Sequence, residues 1–125
     1  MILGFGTDIV ATERIRHLLG KYGERFTRKV FTESERAYCE SKADRGSHYA
    51  ARFAAKEATR KALRGSPPLS WQDVEVARAE DGQVSLKLFG KAAEVATQLG
   101  VQTTFVSLSH EKGMAVASVI VEGER

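Results

Sequence analysis

Cysteine is almost missing from this chain. Cys39 stands alone, so no internal disulfide can form and no cysteine-built metal cluster is available. Proline is scarce too: the only two, Pro67 and Pro68, are adjacent. No stretch approaches the roughly 20 apolar residues that a membrane span requires. The N-terminus lacks a basic segment followed by an apolar run and a cleavage site, so no secretory signal is expected. Neither a Walker-type glycine-rich loop nor a G-x-S-x-G elbow occurs. There are no internal repeats and no low-complexity tracts. These absences point to a cytoplasmic protein that neither crosses nor binds a membrane.

What is present fits a globular protein. The chain has 125 residues, of which 42% are hydrophobic and 28% charged, which is ordinary for a folded chain that buries a real core. A single domain spanning 1–125 is expected. The net charge of +3 is unevenly spread. Residues 11–30 hold Arg14, Arg16, Lys21, Arg25, Arg28 and Lys29 against only Glu13 and Glu24, while the remainder is slightly acidic. Such a patch is either a solvated helix face or a docking surface for an acidic partner. It shows no basic–aromatic interleaving of the kind a base-stacking platform needs, so nucleic acid is not an expected partner.

Hydrophobic periodicity divides the chain into helices first and strands later. Residues 2–10 read as a strand. Thr12 is the expected N-cap of a helix carrying Ile15, Leu18, Leu19 and Tyr22 up to Gly23. A short basic turn, ERFTRKVF, follows. Thr32 and Glu35 have the spacing of a capping box, opening a helix through about Lys42. DRGS at 44–47 reads as a loop. A long alanine-rich helix then runs from Ser47 to Gly65, with Pro67 and Pro68 beyond it. Asp81-Gly82 between two apolar runs marks a hairpin. KAAEVATQLG is a short helix closed by Gly100. The strands TFVSLSH and MAVASVIV are joined around HEKG, and their near-continuous apolar runs predict burial on both faces. The arrangement is that of an α+β domain.

One residue breaks this pattern. Asp8 lies in a strand whose neighbours are Ile2, Leu3, Phe5, Ile9 and Val10, where an ionised carboxylate is costly without a partner. Glu57 is the natural site-mate. On the long helix it shares a mostly small and apolar side with Ala50, Phe53, Ala54 and Lys61, and Lys61 lies one turn away. A Glu57–Lys61 pair reads either as an ordinary helix salt bridge or as half of a site. Two carboxylates on separate elements beside a lysine suit a magnesium ion next to a phosphate. His110, at the end of a strand, is a third candidate. His17 and His48 have no partners visible in sequence. Ser107 and Ser109 offer hydroxyls without the elbow that would activate one. Gly4 and Gly6 could bring backbone close to a ligand.

The segments GTDIV, RFAAKEATRKAL and VSLSH, taken together and in this order, resemble the holo-acyl-carrier-protein synthase family, the small type of 4′-phosphopantetheinyl transferase. The resemblance spans essentially the whole chain. It implies an α+β fold in which a small antiparallel sheet packs with helices, one of them long and central. It also implies a magnesium enzyme that moves phosphopantetheine from coenzyme A to a serine of apo acyl carrier protein, releasing adenosine 3′,5′-bisphosphate, in fatty acid biosynthesis. On this basis Asp8 and Glu57 hold the metal, and Lys61, His110 and Arg52 contact coenzyme A. Arg14, Leu18, Lys21, Arg25 and Phe26 bind the carrier protein. The base that deprotonates the carrier serine is Glu57, His110 or a metal-bound water, and the sequence does not choose. Family members assemble as trimers, so a homotrimer with sites between subunits is expected. LRGSPPLSW departs from the family's usual Gly-Thr-Gly-like loop. Two other classes remain on residues alone: a non-catalytic protein-binding module, and a magnesium-dependent hydrolase acting on coenzyme A.

Overall fold

The first and last strands of the chain are hydrogen-bonded neighbours. In the computed structural model, which describes residues 1–64 and 68–125, β1 (Ile2–Ala11) pairs antiparallel with β5 (Met114–Gly123), and β5 pairs with β4 (Val101–Glu111). The sheet order is β1-β5-β4, with β1 and β4 at the edges. A separate two-stranded sheet pairs β2 (Val74–Arg78) with β3 (Val84–Leu88) around the expected Asp81-Gly82 turn. The helices are α1 (Thr12–Tyr22), α2 (Glu24–Val30), α3 (Glu33–Glu40), α4 (Arg45–Ala62) and α5 (Gly90–Leu99). Among the described residues no helix is long and apolar enough to cross a membrane.

The central layer is α4 lying on the inner face of the three-stranded sheet. Its buried surface is rich in alanine, including Ala50, Ala54, Ala55, Ala58 and Ala62, which lets the helix axis come close. The sheet answers with glycine. A Cβ on Gly6 would stand 1.9 Å from the Ala58 carbonyl oxygen, and one on Gly4 would stand 2.1 Å from that of Ala62. Gly4 and Gly6 therefore seat a helix rather than a ligand. They also show that β1 and α4 run in opposite directions, which brings Asp8 toward the turn of α4 that holds Ala54 and Glu57.

Local chemistry accounts for several boundaries and corrects others. The capping box forms in full: the Thr32 N–H donates to Glu35 Oε1 at 2.8 Å, and Thr32 Oγ1 accepts from the Glu35 N–H at 3.4 Å. Thr12 does not cap α1. The Thr12 N–H is drawn to the Gly113 carbonyl at 2.8 Å by strand pairing, so Ala11 becomes the flanking residue and Thr12 enters the helix. The expected basic turn at 24–31 is the helix α2. Gly23, at φ 54° and ψ −129°, makes the break between α1 and α2 that a side chain would resist. The expected loop at 44–47 is the start of α4. There Asp44 is the N-cap, accepting from the Ser47 N–H at 3.3 Å and from Ser47 Oγ at 2.6 Å. The expected stop at Gly65 and the neighbouring Pro67 lie outside the described residues, and α4 ends at Ala62.

Burial differs from expectation on one face of the sheet. Ala115, Ala117, Val119 and Val121 of β5 point inward and are buried. On the other face, Phe5, Ile9, Phe105 and Met114 are exposed in the single chain. The registers place Phe5 and Phe105 on either side of Ile120, and Ile9 beside Val116. A contiguous apolar face on the outside of a sheet calls for a covering surface.

Candidate active site

Asp8 and Glu57 come to the same flank of α4, and each carboxylate is held by a cation of that helix. Lys61 Nζ donates to Asp8 Oδ1 at 3.1 Å and to the Thr7 carbonyl at 2.9 Å. Arg60 Nη2 donates to Glu57 Oε2 at 2.6 Å. The Asp8 and Glu57 side chains are only 19% and 17% exposed, whereas Lys61 and Arg60 are half-exposed. The carboxylates thus sit in a shallow recess with their counter-ions at the rim. The direct partner of Asp8 in this chain is Lys61, which lies one helical turn from Glu57 as its spacing requires.

The residues present fit a magnesium ion. Both donors are hard carboxylate oxygens, and the cations now on them mark where positive charge is stabilised. Among the described residues no group of three or more His, Cys, Asp or Glu side chains converges. Magnesium needs only one or two carboxylates, because water and phosphate oxygens complete its shell.

His110 is not brought to these residues within one chain. It lies on β4, the edge strand opposite β1, and its ring centroid is 5.7 Å from that of His48. His48 precedes Glu57 by nine residues, which at about 100° each puts it on the opposite side of α4. On that far side a second cluster is built around Tyr38. Lys42 Nζ, the Arg52 guanidinium and the Arg78 guanidinium lie 4.8, 4.3 and 5.5 Å from the Tyr38 ring centroid. None of the three forms an ion pair with a carboxylate among the described residues. Arg52 is buried, with Nη1 donating to the His48 carbonyl at 3.4 Å and Nε lacking a partner. Partial burial, then the charges of Arg52, His110 and Lys42, lower the pKa of His48. The concentrated positive charge suits an anion. Arg52 and His110 thus belong together, and Lys61 belongs with Asp8 and Glu57.

A third feature lies along α1 and α2. A groove of about 440 Å³ is lined by Arg14, Leu18, Arg25, Phe26, Phe53 and Trp71, among others. Four of the five expected docking residues line it. Lys21 stands beside it, with Nζ 5.3 Å from the Tyr22 ring centroid. Phe53 and Trp71 stack at 5.1 Å with 27° between planes.

Sequence reading missed Lys42, Arg78, Arg60 and Trp71. Only Arg60 left a local signal, its i,i+3 spacing from Glu57. The others arrive from separate elements and meet through the fold. The lysine of the K-E-A block, Lys56, is structural. Its Nζ is buried and donates to Glu35 Oε1 at 2.8 Å, to the Trp71 carbonyl at 3.0 Å, and to the Val74 carbonyl.

Comparison with known proteins finds relatives that span nearly the whole chain. Residues 4–118 match the family model described as the 4′-phosphopantetheinyl transferase superfamily. The chain is 48% identical over 126 aligned positions to a holo-[acyl-carrier-protein] synthase of Anaeromyxobacter sp. (strain K), covering 98% of each. Its backbone is similar to the holo-ACP-synthase of Plasmodium yoelii, with a TM-score of 0.86 at 33% identity over 100% of this chain and 98% of that one. It is also similar to Helicobacter pylori holo-[acyl-carrier-protein] synthase in complex with coenzyme A, with a TM-score of 0.83 at 30% identity over 94% and 99% of the two chains. Sequence and backbone thus agree from end to end, and the chain belongs to the 4′-phosphopantetheinyl transferase superfamily.

Proposed function

We propose that this enzyme transfers 4′-phosphopantetheine from coenzyme A to a serine of apo acyl carrier protein in a magnesium-dependent reaction that releases adenosine 3′,5′-bisphosphate. The observation that carries the reading is the recess holding Asp8, Glu57 and Lys61 together on one flank of α4. Asp8 and Glu57 would hold the magnesium ion, which when bound supplies Lewis-acid neutralisation of the pyrophosphate. Lys61 is already at the recess and would add fixed positive charge to the same phosphates. The base that takes the carrier serine's proton would be Glu57 or a metal-bound water held by it within this chain, whereas His110 would serve only from a neighbouring copy.

The two cationic regions divide the remaining work. The Tyr38 cluster, with Arg52, Lys42 and Arg78, would hold a phosphate of coenzyme A away from the reacting bond. The basic rim of the α1–α2 groove would steer an acidic carrier protein, and its apolar floor would seat an apolar side chain. One chain presents the Asp8–Glu57 recess and the Tyr38 cluster on opposite sides of α4. A cofactor that spans both kinds of contact is most simply held between two copies. The exposed Phe5, Ile9, Phe105 and Met114 face supplies a surface for that assembly. We therefore read the enzyme as a homotrimer, one domain per chain, working in the cytoplasm in fatty acid biosynthesis.

The test is a mass measurement on apo acyl carrier protein incubated with enzyme, coenzyme A and magnesium. A gain of one phosphopantetheine that disappears with chelator is expected. Breakdown of coenzyme A with the carrier unchanged would overturn the transfer and indicate a hydrolase. For the assembly, Glu57→Gln and a His110→Ala/Arg78→Ala double variant should each be inactive and should regain partial activity when mixed and re-assembled. A monomer fully active at nanomolar concentration would rule the trimer out.

A further inference from the structure

Glu57 is held by Arg60, and Arg60 reaches further than Glu57. Its guanidinium carbon lies 5.8 Å from the centroid of the Trp71 ring while Nη2 donates to Glu57 Oε2 at 2.6 Å. Trp71 stacks on Phe53, and the Arg14 guanidinium lies 5.4 Å from the Phe53 ring centroid. Arg14, Phe53 and Trp71 all wall the groove along α1 and α2. An unbroken line of contacts therefore runs from Glu57 through Arg60, Trp71 and Phe53 to Arg14.

We propose that Arg60 couples the metal recess to the docking groove, acting as the counter-ion of Glu57 when no cation is bound and as part of the groove's basic rim when one is. The proposal rests on the reading that Glu57 ligates a divalent cation and that the groove receives an acidic protein. A guanidinium and a divalent cation compete for the same carboxylate oxygen, because their like charges repel at that separation. The Arg60 side chain is 42% exposed, so it can leave Glu57 without a charge becoming buried. Its second partner, the face of Trp71, retains it beside the groove through cation–π attraction. There it adds positive charge where an acidic partner docks. Linkage then fixes the sign: bound cation raises affinity for the partner, and bound partner raises affinity for the cation by the same factor. Arg60 is a positioning residue in this scheme and contacts no reacting atom.

The chain supplies its own reporter, since Trp71 is its single tryptophan. The protein is titrated with Mg²⁺ by calorimetry and by tryptophan emission, and with apo acyl carrier protein in the presence and absence of Mg²⁺. In the wild type, Mg²⁺ should change the emission and tighten carrier binding by about two- to fivefold, the range for releasing a half-exposed ion pair. Arg60→Gln should bind Mg²⁺ tighter by a similar factor, lose the emission change, and bind carrier equally with and without Mg²⁺. Arg60→Lys restores the charge and should return Mg²⁺ affinity toward wild type. Unchanged Mg²⁺ affinity and unchanged carrier coupling in Arg60→Gln would overturn the proposal while leaving the metal reading intact. Absence of any Mg²⁺ binding by the wild type would overturn the metal reading, and this proposal with it.

Discussion

Removing Lys56 should destabilise the fold far more than its place beside Glu57 would suggest. Its side chain is 1% exposed, and its partner Glu35 is 0% exposed. Glu35 also accepts from the Thr32 N–H at Oε1 and from the Val76 N–H at Oε2, each at 2.8 Å. One ion pair therefore ties α3, α4 and β2 together, and Lys56 adds the Trp71 and Val74 carbonyls. Desolvation lowers the pKa of Lys56, with the Glu35 charge opposing that shift. Lys56→Met keeps the volume of the stem but leaves the Glu35 charge buried with only two backbone donors. Breaking such a pair costs about 3–5 kcal/mol, a large part of the ~5–15 kcal/mol that holds a domain together. Urea unfolding followed by circular dichroism, at fixed chain concentration, should show a midpoint lower by roughly 2 M for a slope near 2 kcal/mol/M. Glu35→Gln in the Lys56→Met background removes the stranded charge and should recover part of the loss. A loss below about 1 kcal/mol, the range of an exposed pair, would refute the reasoning. So would a double variant less stable than Lys56→Met alone.

Four further outcomes follow from the geometry. Asp8→Ala and Glu57→Ala should each lower transfer at least about 100-fold, as loss of a charge-stabilising group does, while thermal melts stay near wild type because both carboxylates pair with half-exposed cations; full activity of either variant at saturating magnesium would refute their role. Arg14→Ala should raise the carrier protein concentration needed for half-maximal rate, with an effect that shrinks at high salt, whereas Lys61→Ala should lower the rate at saturating carrier; an identical, salt-independent loss in both would refute that division. Asp44 has its pKa lowered from 3.8 to about 2, first by the hydrogen bond from Ser47 and then by that from Arg16. A depressed carboxylate contributes stability above its unfolded pKa and loses it as pH falls through the folded one, so the ~1 kcal/mol deficit of Asp44→Ala at neutral pH should fade between pH 3.8 and about 2; a deficit constant across that window would exclude the cap. Gly6→Ala should cost ~3 kcal/mol or more by driving a methyl into the Ala58 carbonyl, and a wild-type melting temperature would show that α4 can move away.

Much of this was legible in the order of residues alone, for reasons that are local. Capping by Thr32 and Glu35, the hairpin at Asp81-Gly82 and the left-handed Gly100 that closes α5 each depend on residues within a few positions. So does the Glu57–Lys61 spacing, which 3.6 residues per turn converts into a shared flank. Asp8 was recognisable as anomalous because an apolar strand has no local partner for a carboxylate. Other features depended on neighbours that are distant in sequence. Strand pairing with the hairpin turn pulled Thr12 out of its capping role. Periodicity marks a lysine as charged and could not show that Lys56 is buried, because burial depends on Glu35 and two carbonyls from other elements. Nor could it separate His110 from Glu57, since the separation exists only once α4 lies between the two edge strands. A short-range rule can say which face of an element a side chain occupies; which other element meets that face is decided by packing, and packing is a property of the whole chain.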